Sequence, residues 1–159
     1  MKKVAVLYSK HSPLIDAIKY HLSDCDIDLL TSHENLASYD LIVLSNYNGD
    51  FKENGLKCHH SLLPAFNSTE PEKDAMLEGV KVTGITIYST NPYKIIAQYP
   101  VFIHNNMHYD ELKQELDYIE QTLFPLVIRK VLNNEPFEVQ TLLSKSCSGN
   151  CRGCSSCNH

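Results

Sequence analysis

The sequence predicts an α/β protein built on an open, mostly parallel β-sheet, and three features of the chain predict this fold class. Short apolar segments alternate with segments of helical periodicity, starting with a strand at residues 3–8 and a helix that begins at Pro13. Two longer apolar segments, residues 80–87 and 95–103, follow each other across a short turn, which is typical of an antiparallel hairpin. The third feature is a long helical repeat over residues 109–132.

The individual elements follow from local signals. Ser12-Pro13 is typical of a helix start, because the first helical position does not use its backbone N–H in an intrahelical bond. The elements predicted between the first helix and the hairpin are a strand at 27–30, a short helix within 32–37, strands at 39–44 and 56–59, and a helix at 71–79. In the long repeat, apolar residues recur every three or four positions and mark one buried face. We expect Pro125 to kink that helix or split it near Phe124, because its ring clashes with the preceding turn.

Composition and charge exclude several classes of function. The 159 residues suffice for one domain with a hydrophobic core, and the net charge of -5 does not suit a nucleic-acid-binding surface, which needs clustered Lys and Arg. No apolar run reaches the length that crosses a membrane, and the N-terminus has no signal-peptide pattern. We therefore expect a cytoplasmic protein with reduced thiols and without nucleic-acid or membrane partners.

The most informative segment is residues 55–66, with the sequence GLKCHHSLLPAF. Because side chains alternate along a strand, we expect Lys57 and His59 to point to one face of the sheet and Cys58 to the other. A histidine at the carboxyl end of a strand, just before a loop, lies where open α/β sheets place their ligands. His59 is therefore a candidate for chemistry, and a buried histidine with a purely structural role is the alternative.

The octapeptide HHSLLPAF resembles the HPSLLPAF signature of the folate-dependent formyltransferases. This is the family of glycinamide ribonucleotide formyltransferase and of the formyltransferase that acts on methionyl-tRNA. Three further segments resemble the family in order and spacing, namely 79–88 (GVKVTGITIY), 95–98 (IIAQ) and 123–127 (LFPLV). The resemblance extends from about Tyr39 to Asn134, and it implies the formyltransferase fold, with a Rossmann-like sheet, an antiparallel edge hairpin and a long C-terminal helix.

The resemblance also implies a reaction and its site. In that family a formyl group passes from 10-formyltetrahydrofolate to an amine. For this chain we expect a small-molecule amine, in one-carbon metabolism of the kind that serves purine biosynthesis. An asparagine and a histidine stabilise the oxyanion, and an aspartate holds the histidine charged and relays protons. His59 matches the histidine, Lys57 stands at the asparagine position and Asn91 at the aspartate position. The positions that match the folate side of the family site are Tyr47, Asn48 and Ile95.

Departures from the family pattern leave alternatives open. Lys57 and Asn91 do not reproduce the amide and the carboxylate they replace, so a non-catalytic protein that binds folate or nucleotide is the second hypothesis. The first loop, residues 9–12, has no glycine for binding a phosphate. The span between the second strand and Tyr39 is one α/β unit shorter than in the family. We therefore do not expect glycinamide ribonucleotide to be the formyl acceptor.

A cysteine-rich tail, residues 144–159, follows the α/β domain of residues 1–143. Its candidate metal ligands, in the spacing C-x3-C-x2-C-x2-C, are Cys147, Cys151, Cys154 and Cys157. Four thiolates this close suit either one zinc ion or a 4Fe-4S cluster, whereas a tail without metal would carry free or disulfide-bonded thiols. The third hypothesis is thus a metal-carrying, iron-sulfur-carrying or redox-sensing protein with a redox or metal-delivery partner. We expect Cys25 and Cys58 to be small core residues.

Overall fold

The computed structural model describes residues 1–137, and these form a sheet of six strands with three α-helices. In chain order the elements are β1 (Lys3–Tyr8), α1 (Pro13–His21), β2 (Asp26–Leu30), β3 (Leu41–Ser45), β4 (Leu56–His59), α2 (Pro71–Leu77), β5 (Val82–Thr90), β6 (Tyr93–Phe102) and α3 (Tyr109–Leu132). A single 3-10 turn, Leu36–Ser38, lies between β2 and β3. This order of strands and helices is the one that the sequence predicts.

The strand order across the sheet is β2-β1-β3-β4-β5-β6. Strands β2, β1, β3 and β4 run parallel, and β5 and β6 continue the sheet as an antiparallel hairpin. The mostly parallel sheet with an antiparallel edge is thereby confirmed. Because β1, β3 and β4 are parallel, the loops that follow Tyr8, Ser45 and His59 come together at one edge of the sheet.

The two faces of the sheet are covered unequally. Helices α1 and α3 pack on one face and bury the larger core, in which the side chain of Phe124 is fully buried. The other face carries a smaller cluster around Leu7, Leu36 and Leu44. The reason is that the connection from β2 to β3 contains the 3-10 turn in place of a helix. The short helix predicted within residues 32–37 is reduced to that one turn.

Helix α3 runs without a break through Pro125, so the expected split near Phe124 is absent. Proline in a helix interior costs about 3 kcal/mol. Burial of apolar side chains on both sides of it, Phe124 and Val127, offsets this cost, because each buried side chain contributes about 1.5–3 kcal/mol. None of the helices within residues 1–137 is both long and apolar enough to cross a membrane.

Candidate functional site

A cleft of about 650 Å³ opens at the carboxyl edge of the parallel strands. It is lined by the loops after β1, β3 and β4 and by side chains of α2 and α3. The predicted site residues that line it are Lys57, His59, Tyr47 and Asn48. The cleft therefore lies where the topology of an open α/β sheet predicts a ligand site.

His59 ends β4, and both of its ring nitrogens are close to polar atoms. Its Nδ1 lies 2.9 Å from Ser61 Oγ, and its Nε2 lies 3.1 Å from the carbonyl oxygen of Ser68. Burial lowers the pKa of His59, and the charges of His60 and Lys57 act in the same direction, although the Ser68 contact opposes them. His59 is therefore neutral at pH 7.

A neutral imidazole has a single N–H, and the surroundings of His59 decide which nitrogen carries it. The Ser61 hydroxyl donates to the Ala65 carbonyl oxygen at 2.6 Å, so Ser61 Oγ accepts from Nδ1–H of His59. Nε2 carries a lone pair in this neutral form, and the Ser68 carbonyl oxygen, which can only accept, forms a hydrogen bond with it only once Nε2 is protonated. This nitrogen is the one that a ligand in the cleft can engage.

The loop that follows His59 is held in place by side chains from the hairpin. Thr86 Oγ1 donates to the Ser61 carbonyl oxygen at 2.7 Å and accepts from the Leu63 backbone N–H at 3.0 Å. Gln98 Nε2 donates to the Leu63 carbonyl oxygen at 2.9 Å and to Thr86 Oγ1 at 3.0 Å. Gln98 is the last residue of the IIAQ segment, so that segment positions the loop and thereby the ring of His59.

His60, the next residue, points into a group of carboxylates from α2 and α3. Its Nδ1 donates to Glu72 Oε1 at 2.6 Å, and its Nε2 donates to Glu120 Oε2 at 3.1 Å. Burial by itself would lower the pKa of His60, but the two glutamates raise it to about 10, so the ring is charged at pH 7. Burial by itself would raise the pKa of Glu72, but the hydrogen bond from His60 lowers it. The sequence did not reveal this cluster, and its one signal was His60 at the position of the signature proline.

Cys58 lies on the face of the sheet opposite to His59, as the alternation predicts, and it packs against the larger core. It also borders the cleft, where ligand atoms of Cys58, His60 and Glu120 all lie within 4.8 Å of one another. Burial, followed by the negative charge of Glu120, raises the pKa of the Cys58 thiol, which is protonated at pH 7. Cys58 therefore packs against the core, as the sequence predicts, and its thiol also borders the cleft.

Comparison with known proteins decides the family. Residues 32–128, more than half of the chain, match the family described as Formyl transferase. The chain belongs to the formyl transferase family. It is 34% identical over 83 residues to a phosphoribosylglycinamide formyltransferase of Bacillus subtilis and 36% identical over 72 residues to one of Mycobacterium tuberculosis. These matches cover 48% and 43% of this chain and 42% and 34% of the relatives, so the chain spans less than half the length of these relatives.

Solved structures share the fold of this chain. Phosphoribosylglycinamide formyltransferases from Bacillus halodurans and Anaplasma phagocytophilum superpose with TM-scores of 0.69 and 0.72, at 22% and 17% identity. The alignments cover 86% and 84% of this chain and 100% and 88% of those chains. A formyltetrahydrofolate deformylase from Pseudomonas syringae has a TM-score of 0.71 at 20% identity, with coverage of 84% and 62%. At these identities the comparison establishes the fold alone.

The structure does not bring Asn91 and Ile95 to His59. The strand register places the β5–β6 turn beyond the amino end of β4, whereas His59 is at the carboxyl end. Asn91 Nδ2 there donates to the Lys52 carbonyl oxygen at 2.7 Å, and Ile95 is exposed on the edge strand β6. Neither residue lines the cleft, because the hairpin connects through Asn91-Pro92 alone and does not fold back over β4.

The loop after β3 carries the other predicted folate contacts. Tyr47 Oη lies 3.0 Å from Nδ1 of His33, and the Tyr47 side chain packs against the smaller apolar cluster. The backbone N–H of Asn48 donates to Ser9 Oγ at 2.9 Å, which ties this loop to the loop after β1. Both side chains line the cleft, and their contact with folate stays a prediction.

The cysteine-rich tail lies outside the described residues, as does the domain boundary after residue 143. The zinc or 4Fe-4S site at Cys147, Cys151, Cys154 and Cys157 stays a prediction from the sequence.

Proposed function

We propose that this protein transfers a formyl group from 10-formyltetrahydrofolate to an amine in the cleft beside His59. The observation that carries the proposal is His59 in its family position, at the end of β4, with Lys57 of the same strand also lining the cleft. Membership of the formyl transferase family and relatives named as phosphoribosylglycinamide formyltransferases support it. The cleft also falls within the range of about 300–1,000 Å³ that small-molecule sites occupy.

The chemistry divides between two residues of β4. The amine adds to the formyl carbon and gives up a proton, which Nε2 of His59 accepts. The ammonium group of Lys57 stabilises the negative charge that develops on the formyl oxygen. His59 then passes the proton to N10 of the folate as the C–N bond breaks, which leaves the formylated amine and tetrahydrofolate. Asn91 has no part in this scheme, since it lies at the other end of β4.

A second candidate is a protein that binds folate without turning it over. The observation that favours it is the set of partners of His59. Within residues 1–137, the polar atoms next to the ring nitrogens belong to Ser61 and Ser68, and no carboxylate orients the ring. A charged partner is what the family places beside its histidine, so His59 here must work as a neutral base or not at all.

The test is a formyl-transfer assay with the full chain, 10-formyltetrahydrofolate and a panel of primary amines. A reaction without amine measures hydrolysis. His59→Ala is expected to lower kcat/KM by about 10²–10⁴-fold, the usual contribution of a general base. The matched control is His104→Ala, since His104 is an exposed histidine that does not line the cleft.

The outcomes separate the two candidates. Turnover that depends on an amine and falls in His59→Ala supports formyl transfer. Saturable folate binding without turnover of any amine supports the second candidate. A chain that neither binds the folate nor turns it over contradicts both.

A further inference from the structure

We propose that Cys58, His60 and Glu120 bind one divalent transition-metal ion of the zinc or ferrous-iron class in the wall of the cleft. This site goes beyond the proposed formyl transfer, and it uses none of the cysteines of the tail. Three separate elements supply its ligands, namely β4, the loop after β4 and α3.

The spacing of the ligand atoms fits a metal ion after small side-chain rotations. The three atoms lie within 4.8 Å of one another, and the pair His60 Nε2 and Glu120 Oε2 is already 3.1 Å apart. Tetrahedral sites with bonds of about 2.0–2.3 Å hold their ligand atoms about 3.3–3.8 Å apart. A thiolate, an imidazole and a carboxylate together suit zinc or ferrous iron, whereas magnesium and calcium prefer oxygen ligands alone.

Glu72 gives the site the support that metal-binding histidines usually have. A histidine that ligates a metal through one nitrogen nearly always donates the N–H of the other to a carboxylate or a carbonyl group. Nδ1 of His60 donates to Glu72 at 2.6 Å, and both side chains are largely buried. Glu72 therefore fixes the proton on Nδ1 and leaves Nε2, the nitrogen that faces Glu120, for the metal.

The charge balance of the site permits a divalent ion. Without metal, a proton on Nε2 of His60 lies between the ring and Glu120, and a second proton is on the Cys58 thiol. Binding of M²⁺ releases both protons to solvent and forms bonds to the imidazole nitrogen, the thiolate and the carboxylate. The net charge of the half-buried cluster is the same before and after, so no uncompensated charge is buried.

An ion pair between His60 and the glutamates accounts for only part of the arrangement. It does not use Cys58, whose thiol is next to Glu120 although the strand alternation would allow any small apolar residue there. All three proposed ligands line the cleft, so a fourth coordination position is open to water or to a ligand. Three protein ligands with one open position are the usual arrangement of catalytic zinc sites.

The experiment titrates Co²⁺ alone into full-length protein that has been treated with a chelator, under anaerobic conditions. The four tail cysteines are changed to serine, so that thiolate absorption reports on the cleft. We expect one equivalent of Co²⁺ to bind with thiolate-to-cobalt charge-transfer absorption, and Zn²⁺ to displace it. Cys58→Ser is expected to lose that absorption, and Glu120→Gln to weaken binding at least about tenfold. Cys25→Ser, a matched control away from the cleft, is expected to change neither.

Glu72→Gln separates a metal site from a simple ion pair. It retains all three ligands, so the thiolate absorption is expected to persist while affinity falls about 10–100-fold. This variant also keeps the proposal testable if Cys58→Ser does not fold. Absence of cobalt absorption in the parent protein, or equal absorption in folded Cys58→Ser, would overturn the proposal. No folate enters the experiment, so its result is independent of the formyl-transfer assay.

Discussion

His59 and His60 are adjacent in the chain, yet one ring is neutral and the other is charged at pH 7. His59 lies against a serine hydroxyl and a backbone carbonyl, and burial lowers its pKa, so the ring is neutral. His60 lies between two glutamates that raise its pKa to about 10, in spite of deeper burial, so the ring is a cation. Because the two residues are consecutive at the end of β4, their side chains point in different directions and contact different elements.

The difference teaches that the partners, and not the residue type, decide what a histidine does. The partners of His59 are local, because Ser61 and Ser68 belong to the loop that follows it. The partners of His60 come from Glu72 on α2 and Glu120 on α3, the latter 60 residues away in the chain. The first ring is therefore suited to accepting a proton, and the second to holding two helices together or to binding a metal.

Removal of the His60 cation is expected to have the largest effect on stability. His60→Ala leaves the largely buried Glu72 and Glu120 without the imidazolium between them, and breaking a buried pair in this way costs about 3–5 kcal/mol. Urea unfolding monitored by circular dichroism measures the loss. His59→Ala, the comparison variant, is expected to lose much less stability. An equal loss in both variants would contradict the conclusion that His60 contributes more to the fold than His59.

Loss of the His59 ring is expected to have its main effect on catalysis if the protein transfers formyl groups. His59→Asn keeps a polar side chain but cannot accept a proton, so kcat is expected to fall by about 10²-fold or more. The pH profile of kcat/KM in the parent protein is expected to fall on the acidic side of neutrality, as His59 becomes protonated below its lowered pKa. A profile that keeps its acidic limb in His59→Asn would assign that limb to another group.

The hydrogen bonds by which Thr86 and Gln98 hold the loop after His59 are expected to contribute a smaller amount to the stability of the protein. Gln98→Leu leaves the Leu63 carbonyl oxygen without its donor and removes a donor from Thr86 Oγ1, at a cost of about 1–3 kcal/mol. Gln114→Leu, an exposed glutamine on α3, is the control and is expected to change stability little. Urea unfolding compares the two variants. Equal unfolding midpoints would show that Gln98 does not stabilise the loop.

The charge of His60 is expected to appear in the pH dependence of stability of metal-free protein. Because its folded pKa is raised above the unfolded value, its contribution is complete below about pH 6.5 and is lost as the pH rises toward about 10. Between pH 7.5 and 8.5 the parent protein is expected to lose about 1 kcal/mol relative to His60→Gln. A constant difference between the two proteins over this window would show that His60 does not gain a proton on folding.

The two histidines also show which parts of the site could be predicted from the sequence. Strand alternation predicted that Lys57 and His59 share a face and that Cys58 does not, and the register confirms it. The position of Asn91 relative to His59 could not be predicted in this way, because it depends on how the hairpin aligns with β4 and how short its turn is. Of the two effects expected from Pro125, a kink or a split near Phe124, the split was wrong for a related reason, since burial in the core outweighed a local preference.

The sequence by itself determined the order of strands and helices, the mostly parallel sheet, the family and the place of His59 at a carboxyl edge. These follow from local periodicity and from short motifs, which act over a few residues. Only the tertiary structure decided that Gln98 holds the His59 loop and that Glu72 and Glu120 enclose His60 beside Cys58. Such contacts join residues far apart in the chain, and their distances and charges exist only once the helices have packed against the sheet.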